Sequence, residues 1–366
     1  MIMTDNVCII DELEFIKENS EYSVRAKDTK IKGEIIIPEK VNGLPVTKIE
    51  EDGFCDCCLI TKVVIPDSIK NIGKYAFDGC INLKKIKIKG KLDNLGEFAF
   101  FNTDYYNNSS NWDNGLLFLE NILLSSSMLD KVTKSVSLKK GTYMIAPQAF
   151  SDKSIVSLTL PKSLEIICFG AFARADINKL TFASAPTIKE RAFEYAHISF
   201  LNLKAQNIEK EAFYNAKVFE FSLEEILNSP ELSAFKNMEI SRFLAESIPL
   251  YENIFRESIF SSTTAIIDEK GIPIKQLQAK NINFPIYENL SINTLIIDGK
   301  FYNNAFKNSS INSLVVVSEE TYFQGPEVFE NAKIGEEYIL GKLYNFPEIT
   351  NDVLNEAIIM EHKSSV

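Results

Sequence analysis

Apolar and polar residues alternate in short pairs that return at a nearly constant interval along most of the chain. Each pair has the form apolar-x-apolar, and clear examples are Val63/Ile65, Ile86/Ile88, Leu158/Leu160, Leu180/Phe182, Leu201/Leu203, Phe221/Leu223, Leu295/Ile297 and Leu314/Val316. Alternation over so few positions is typical of a short strand with one buried face. The pattern therefore predicts a series of short strands along one core.

An aromatic residue, usually preceded by a small one, recurs with the same period. It occurs at Phe54, Phe77, Phe100, Phe150, Phe172, Phe193, Phe213, Phe235 and Phe255, and later at Tyr287, Phe306 and Phe329. The segment around it is too short for an independent helix but suits one helical or 3₁₀ turn. Each unit of about 22 residues is thus predicted to contain a strand, a turn and one such helical turn.

One unit of this size cannot bury its own apolar face, whereas stacked units can. The sequence therefore predicts a repeat solenoid, with short parallel strands on one face and single helical or 3₁₀ turns on the other. We expect an N-terminal cap with the first strand at 1–48, about 12 repeats at 49–340, and a C-terminal cap and tail at 341–366. A hairpin-like insertion is predicted at 101–135 and an irregular stretch at 245–284.

Residues 66–88 read PDSIKNIGKYAFDGCINLKKIKI, and this unit resembles the repeat of the BspA-like leucine-rich repeat family. The segment Asn42-Gly43-Leu44-Pro45-Val46 is similar to the usual first cap of such arrays. The resemblance implies a right-handed array that contacts proteins or glycans, often on the surface of bacteria or protist parasites, without enzymatic activity. The sequence departs from that expectation because neither a signal peptide nor a surface anchor is recognisable in it.

The composition limits the class of protein. A formal net charge of −11 argues against nucleic acid as the main partner, and no apolar stretch is long enough to predict membrane insertion. The only two histidines are His197 and His362, and no P-loop or other catalytic motif occurs. We therefore predict a protein that is not an enzyme and uses no cofactor.

The segment Phe54-Cys55-Asp56-Cys57-Cys58 has no second pair of suitably spaced ligands, so no metal site is predicted. Cys57 and Cys80 occupy the same repeat position, which predicts small buried residues. Adjacent repeats bring two such sulfurs within bridging reach, and the sequence leaves open whether they form a disulfide.

Strand residues that point away from the core are the candidates for contact with a partner. Those that we single out are Lys62, Lys85, Lys87, Lys89, Lys179, Phe200, Asn202 and Lys204. Residues 59–92 contain eight Lys and two Asp, whereas 206–257 contain ten Glu and five Lys or Arg. Two interpretations remain open: ordinary solvating charge, and a polar face that docks an acidic partner at its N-terminal half.

Apolar residues are also predicted to point outward. Val64 is one of them, and Ile296, Val315 and Val317 form a later group. The later group is interpreted either as a partner or self-association patch or as a surface covered by residues 245–284.

The insertion carries Tyr105, Tyr106 and Trp112 among many Asn and Ser residues. These aromatic side chains suit a recognition surface, and they equally suit local packing of the insertion.

The function that the sequence predicts is non-catalytic binding to another protein, from a host or a second copy, or to a glycan. The leading hypothesis is a microbial surface or secreted adhesin, and the alternative is an intracellular interaction scaffold. A remote alternative is an enzyme with a site in the irregular stretch, where Asp268, Glu269 and Lys270 occur. Location is thus open between the cell surface or medium and the cytoplasm, and oligomeric state is not predicted.

Overall fold

The structure is a computed structural model that describes residues 2–3, 6–228, 230–231 and 233–244, and beyond these 259–260, 266–267, 273–274, 276–282, 291–301, 306–316, 322–323 and 326–339. Ladder positions Phe255 and Tyr287, the residues Asp268, Glu269 and Lys270, and the tail with His362 lie outside the described residues.

Short strands account for most of the regular structure. The first eleven are β1 Ile2–Met3, β2 Val7–Ile10, β3 Leu13–Glu18, β4 Glu21–Ala26, β5 Lys32–Ile36, β6 Lys40–Val41, β7 Leu44–Ile49, β8 Leu59–Ile65, β9 Asn71–Ile72, β10 Lys85–Ile88 and β11 Asn94–Leu95. Helix α1 Asp104–Asn107 and a 3₁₀ helix Ser109–Asn111 follow.

The chain continues with β12 Trp112–Asp113, β13 Leu116–Leu119, β14 Ile122–Ser125, β15 Val132–Ser137, β16 Met144–Ile145, β17 Ser154–Leu160, β18 Ile166–Ile167, β19 Asp176–Phe182, β20 Thr187–Ile188, β21 His197–Ala205, β22 Asn207–Ile208, β23 Lys217–Ile226 and β24 Glu239–Leu244. The remaining elements are β25 Ile259–Phe260, β26 Ile266–Ile267, β27 Pro273–Ile274, β28 Gln276–Ile282, β29 Ser291–Phe301, β30 Ser310–Val316, β31 Tyr322–Phe323, a 3₁₀ helix Pro326–Phe329 and β32 Lys333–Ile339.

The chain divides into two compact units. Unit 1 contains residues 1–131, 138–151 and 163–171, and unit 2 contains 132–137, 152–162 and 172–366. In unit 1, the antiparallel strands β1 to β4 lead into the parallel strands β7, β9 and β11, while β5, β8 and β10 form a separate parallel sheet. In unit 2, β15, β17, β19, β21, β23, β24 and β25 follow one another in one sheet.

The parallel strands pair in register, so that each repeat places equivalent residues side by side. Leu158, Leu180, Leu201 and Phe221 are successive partners on β17, β19, β21 and β23, and all four are buried. The solenoid architecture predicted from the apolar pairs is therefore confirmed.

The recurrent aromatic residues form a stacked ladder inside each unit. In unit 1, the ring of Phe77 lies 4.9 Å from that of Phe54 and 5.4 Å from that of Phe100. In unit 2, Phe193 stacks at 4.8 Å on both Phe172 and Phe213. These spacings match the distance between paired strands, because one ring is contributed per turn of the chain.

The turns that carry the ladder use 3₁₀-type bonds, for example Cys57 N to Phe54 O at 3.2 Å. They do not form a continuous helix, because residues two before and two after the aromatic adopt left-handed backbone conformations. Around Phe193 these are Arg191 (φ 54°) and Tyr195 (φ 55°). Asn, Asp or Gly occupies most of the positions that follow the aromatic, as expected from their tolerance of this conformation.

Replacing Phe193 with Ala should lower the free energy of unfolding by about 3–5 kcal/mol, because the ring is fully buried between two others and its loss leaves a cavity. Phe200→Ala is the matched control, since that ring is 40% exposed and its loss should cost about 1 kcal/mol or less. Equal shifts of the two variants in chemical denaturation would contradict the proposed ladder.

Candidate functional site

The exposed face of the unit 2 sheet brings several of the predicted contact residues together. Lys179 and Phe200 are direct partners on β19 and β21, and both are exposed. Asn202 and Lys204 follow on β21 and are half-buried. This surface, defined by Lys179, Phe200, Asn202, Lys204 and their neighbours on β17 to β23, is called the strand face below.

Phe219 also belongs to the strand face, although it was not among the contact residues predicted from the sequence. It is 47% exposed, and its ring lies 6.5 Å from that of Phe200 in an edge-to-face arrangement. The apolar-x-apolar pairs used to predict the strands mark only the second half of each strand. Buried Val218 lies three residues before buried Phe221, and the two residues between them both avoid the core. The spacing of three residues between Val218 and Phe221 is the sequence pattern from which the exposure of Phe219 could have been predicted.

In unit 1, the basic residues split into paired and unpaired groups. Lys62 Nζ forms a 2.7 Å ion pair with Glu34, which neutralises its charge. Lys85, Lys87 and Lys89 are exposed, and within the part of the chain that the structure describes no carboxylate forms a salt bridge with any of them. These three residues therefore place unpaired positive charge at alternate positions of one short segment.

Val64 lies on the outer face as predicted, but its side chain is not accessible there. Its exposed fraction is only 9%, because Ile36 of β5 and Lys87 of β10 are its direct partners on the two flanking strands. The exposed apolar residue at this level is Ile36 instead, with 62% of its surface accessible.

Three described glutamates of 206–257 form ion pairs with a cation of the neighbouring repeat. Glu209 pairs with Lys189 at 2.8 Å, Glu211 with Arg191 at 2.7 Å, and Glu239 with Lys217 at 3.1 Å. These three carboxylates are therefore engaged by cations of the preceding repeat. The outward orientation of the later apolar group is not described. Val317 lies outside the described residues, and only the backbone is described at Ile296 and Val315.

The aromatic residues of the insertion are engaged with one another. Tyr105 donates its hydroxyl to Phe118 O at 2.6 Å, Tyr106 donates to Ser125 Oγ at 3.0 Å, and Trp112 Nε1 donates to Tyr106 O at 2.8 Å. All three side chains are half-buried. Strands β12 and β13 form a hairpin whose turn has Asn114 and Gly115 at positive φ. The arrangement favours local packing over recognition.

Comparison with known families agrees with this architecture. A family model described as BspA type leucine rich repeat region, with 6 copies, matches residues 47–141 and 143–267, which is more than half of the chain. The chain belongs to the BspA-type leucine-rich repeat family. A search of the curated proteins finds no match.

Three solved structures are similar to this BspA-type chain at low sequence identity. They are a leucine-rich repeat protein of T. pallidum (16% identity, 68% of this chain and 87% of that chain, TM-score 0.25), a leucine-rich cell surface protein of Faecalibacterium prausnitzii A2-165 (16%, 91% and 79%, 0.25), and the pneumococcal vaccine antigen PcpA (14%, 91% and 93%, 0.27).

Leucine-rich repeat solenoids such as this BspA-type chain typically bind partners rather than catalyse reactions. His197 is exposed at the start of β21. Among the described residues, no three His, Cys, Asp or Glu side chains are grouped so as to hold a metal ion. No helix within the described residues has the length and apolar content needed to cross a bilayer.

The cysteines of the BspA-type repeats are free thiols. Cys57 and Cys80 are buried, and Cys80 Sγ donates to Phe54 O at 3.0 Å. Burial raises the pKa of the Cys57 thiol to about 12, and burial likewise raises the pKa of Cys80. The two residues are therefore small, neutral parts of the core.

The buried thiols predict a pH dependence of stability. Each stays protonated in the folded state, while the unfolded thiol ionises near pH 9, so Cys57 stabilises the fold fully below pH 9 and loses that contribution between pH 9 and about 12. The free energy of unfolding should fall by about 1.4 kcal/mol per pH unit for this thiol above pH 9.

Urea unfolding of the wild type and of Cys57→Ala between pH 7 and pH 11 measures the effect. The variant should show a shallower decline, since other groups titrate alike in both proteins. Identical slopes would show that the Cys57 pKa is not raised in the folded state.

Proposed function

We propose that this chain is a non-catalytic binding protein whose partner is another protein, with the strand face as the contact surface. The observation that carries the proposal is the exposed edge-to-face pair of Phe200 and Phe219 on adjacent strands. Large aromatic side chains are costly to leave in water, and they dominate the binding energy of many protein interfaces. Their rigid strands also reduce the entropy lost on binding.

The neighbouring polar residues support the same proposal. Lys179 is the direct strand partner of Phe200, so a cation lies beside the aromatic pair, and half-buried Asn202 and Lys204 lie on the same strand as Phe200. An aromatic centre with a polar rim is the usual anatomy of a protein interface. The insertion is proposed to supply only secondary contacts, through Tyr105, Tyr106 and Trp112, because their polar atoms already form hydrogen bonds within the insertion.

A photo-crosslinking amino acid at position 200 tests the proposal in intact producing cells. Irradiation should yield a discrete adduct, because Phe200 lies in the proposed contact. Position 195 is the matched control, since Tyr195 is 49% exposed but lies in the turn that precedes the strand. In the captured complex, the double variant Phe200→Ala/Phe219→Ala should weaken binding by about 10- to 100-fold. Adducts from position 195 but none from position 200 would exclude the strand face.

The finer version of the proposal is a microbial adhesin that acts at the cell surface or after secretion, and membership of the BspA-type family supports it. Protease treatment of intact producing cells, followed by mass spectrometry of shaved, secreted and cytosolic fractions, is the measurement. We expect peptides of this chain in the shaved or secreted fractions. Recovery in the cytosol alone would contradict the adhesin and favour an intracellular scaffold, while leaving the strand-face contact open to the crosslinking test.

A further inference from the structure

The parallel sheet of unit 1 stops at β10, and the cause lies in the next repeat. After Phe100 the chain does not enter a strand. Instead, Thr103 Oγ1 accepts a hydrogen bond from Tyr106 N at 3.1 Å and begins helix α1 at Asp104. Among the described strands, β8 is the only one that pairs with β10. The other edge of β10 therefore lacks the strand that its repeat would normally receive.

Side-chain exposure at this edge agrees with a missing neighbour. The inward-facing residues Ile86 and Ile88 of β10 are 7% and 8% exposed, whereas Val63 and Ile65 of β8 are fully buried. A strand edge with unpaired N–H and C=O groups is a template for an extended segment from another chain.

The charge beside this edge specifies the kind of segment that fits. Lys85 and Lys87 alternate along β10, and Lys89 continues the alternation directly after its last residue, so their side chains share the outer face of the sheet. None of the three forms a salt bridge within the described residues. Side chains on directly opposed residues of paired strands lie about 5 Å apart. Acidic residues at alternate positions of an added strand would thus meet these lysines.

A cavity of about 430 Å³ lies at the C-terminal end of β10. Its lining includes Lys89, Lys91 and Tyr143 together with two acidic residues, Glu120 and Glu165. Lys91 closes part of it by pairing with Glu165 above the Tyr143 ring. The volume is large enough for one or two side chains at the end of an added strand.

We propose that the free edge of β10 binds an extended acidic segment of a partner protein as an added parallel strand. The backbone of the segment bonds to β10, alternate carboxylates pair with Lys85, Lys87 and Lys89, and its C-terminal end enters the cavity. This inference goes beyond the proposed function, because it uses a backbone edge in unit 1 rather than the aromatic pair in unit 2.

A labelled octapeptide of alternating Thr and Glu is the probe, and fluorescence anisotropy with the full-length protein is the measurement. Two isomers carry N-methyl groups on either the odd or the even residues. Only one edge of an added strand faces β10, so one isomer should bind like the parent and the other should bind about tenfold more weakly or worse. Equal affinity of the two isomers, or no binding of the parent up to about 1 mM, would overturn the proposal.

Charge-reversal variants test the role of the lysines. Lys85→Glu/Lys87→Glu should weaken binding of the acidic peptide by about tenfold and allow an otherwise identical Thr-Lys peptide to bind, which also shows that the variant is folded. Lys32→Glu/Lys40→Glu is the matched control, because both lysines are exposed and lie on strands other than β10. Equal weakening of peptide binding by the two double variants would show that only net charge matters, and it would overturn the proposed site.

Phe200→Ala/Phe219→Ala should leave peptide binding unchanged. This variant separates the two proposals: it removes the strand-face contact and spares the β10 edge. Loss of peptide binding in this variant would overturn the assignment of the peptide to β10.

Discussion

In most of the described repeats a turn bonds through its backbone to the turn that follows, and the rest of the structure depends on that constraint. The N–H of a ladder aromatic donates to the carbonyl of the small residue before the next aromatic, as in Phe54 N to Ala76 O and Phe172 N to Ala192 O, both at 2.7 Å. Such a bond holds successive turns at one strand spacing, at which aromatic rings also stack. Alanine before the aromatic allows this approach, since a larger side chain would crowd the neighbouring turn. A small residue accordingly precedes most of the described ladder aromatics, although Val328 accepts the same bond before Phe329.

The insertion shows what happens where that pattern fails. Ser126 occupies the position of the ladder aromatic, because its N–H donates to Ala149 O at 3.0 Å as Phe150 N donates to Ala171 O. Its hydroxyl bonds to the same carbonyl, but a serine cannot fill the space of a ring. A cavity of about 80 Å³ lies between the turn around Phe100 and the residues Leu124 and Ala146. The break in the ladder and the missing strand beside β10 thus have the same origin, since the chain between Thr103 and Ser126 follows its own local hydrogen bonds.

The features that could be predicted from the sequence are those that recur with the repeat. The apolar pairs predicted the strands, and the regularly spaced aromatic residues predicted the ladder. Positions that are buried once per repeat must carry apolar residues at that same period. The exposure of a side chain was not predictable where it depends on one particular neighbouring residue. Val64 is covered by Ile36, a residue nearly thirty positions earlier, and the exposure of Phe219 follows from two outward positions between Val218 and Phe221. The free edge of β10 depends on where the insertion packs, which no repeat position encodes.

Stability and recognition use different residues in this fold. The ladder and the turn-to-turn bonds are internal, and exposed ion pairs such as Arg174 with Asp152 contribute little to stability. Those pairs do remove charge from the surface, since each cation has a partner on a neighbouring repeat. Lys85, Lys87 and Lys89 have no such partner among the described residues, and the strand holds their charges on one side at regular spacing. Unmatched charges at fixed spacing do not stabilise the chain that carries them, but their potentials add at a partner's surface. This contrast is the physical reason to place recognition on the strands and stability in the turns.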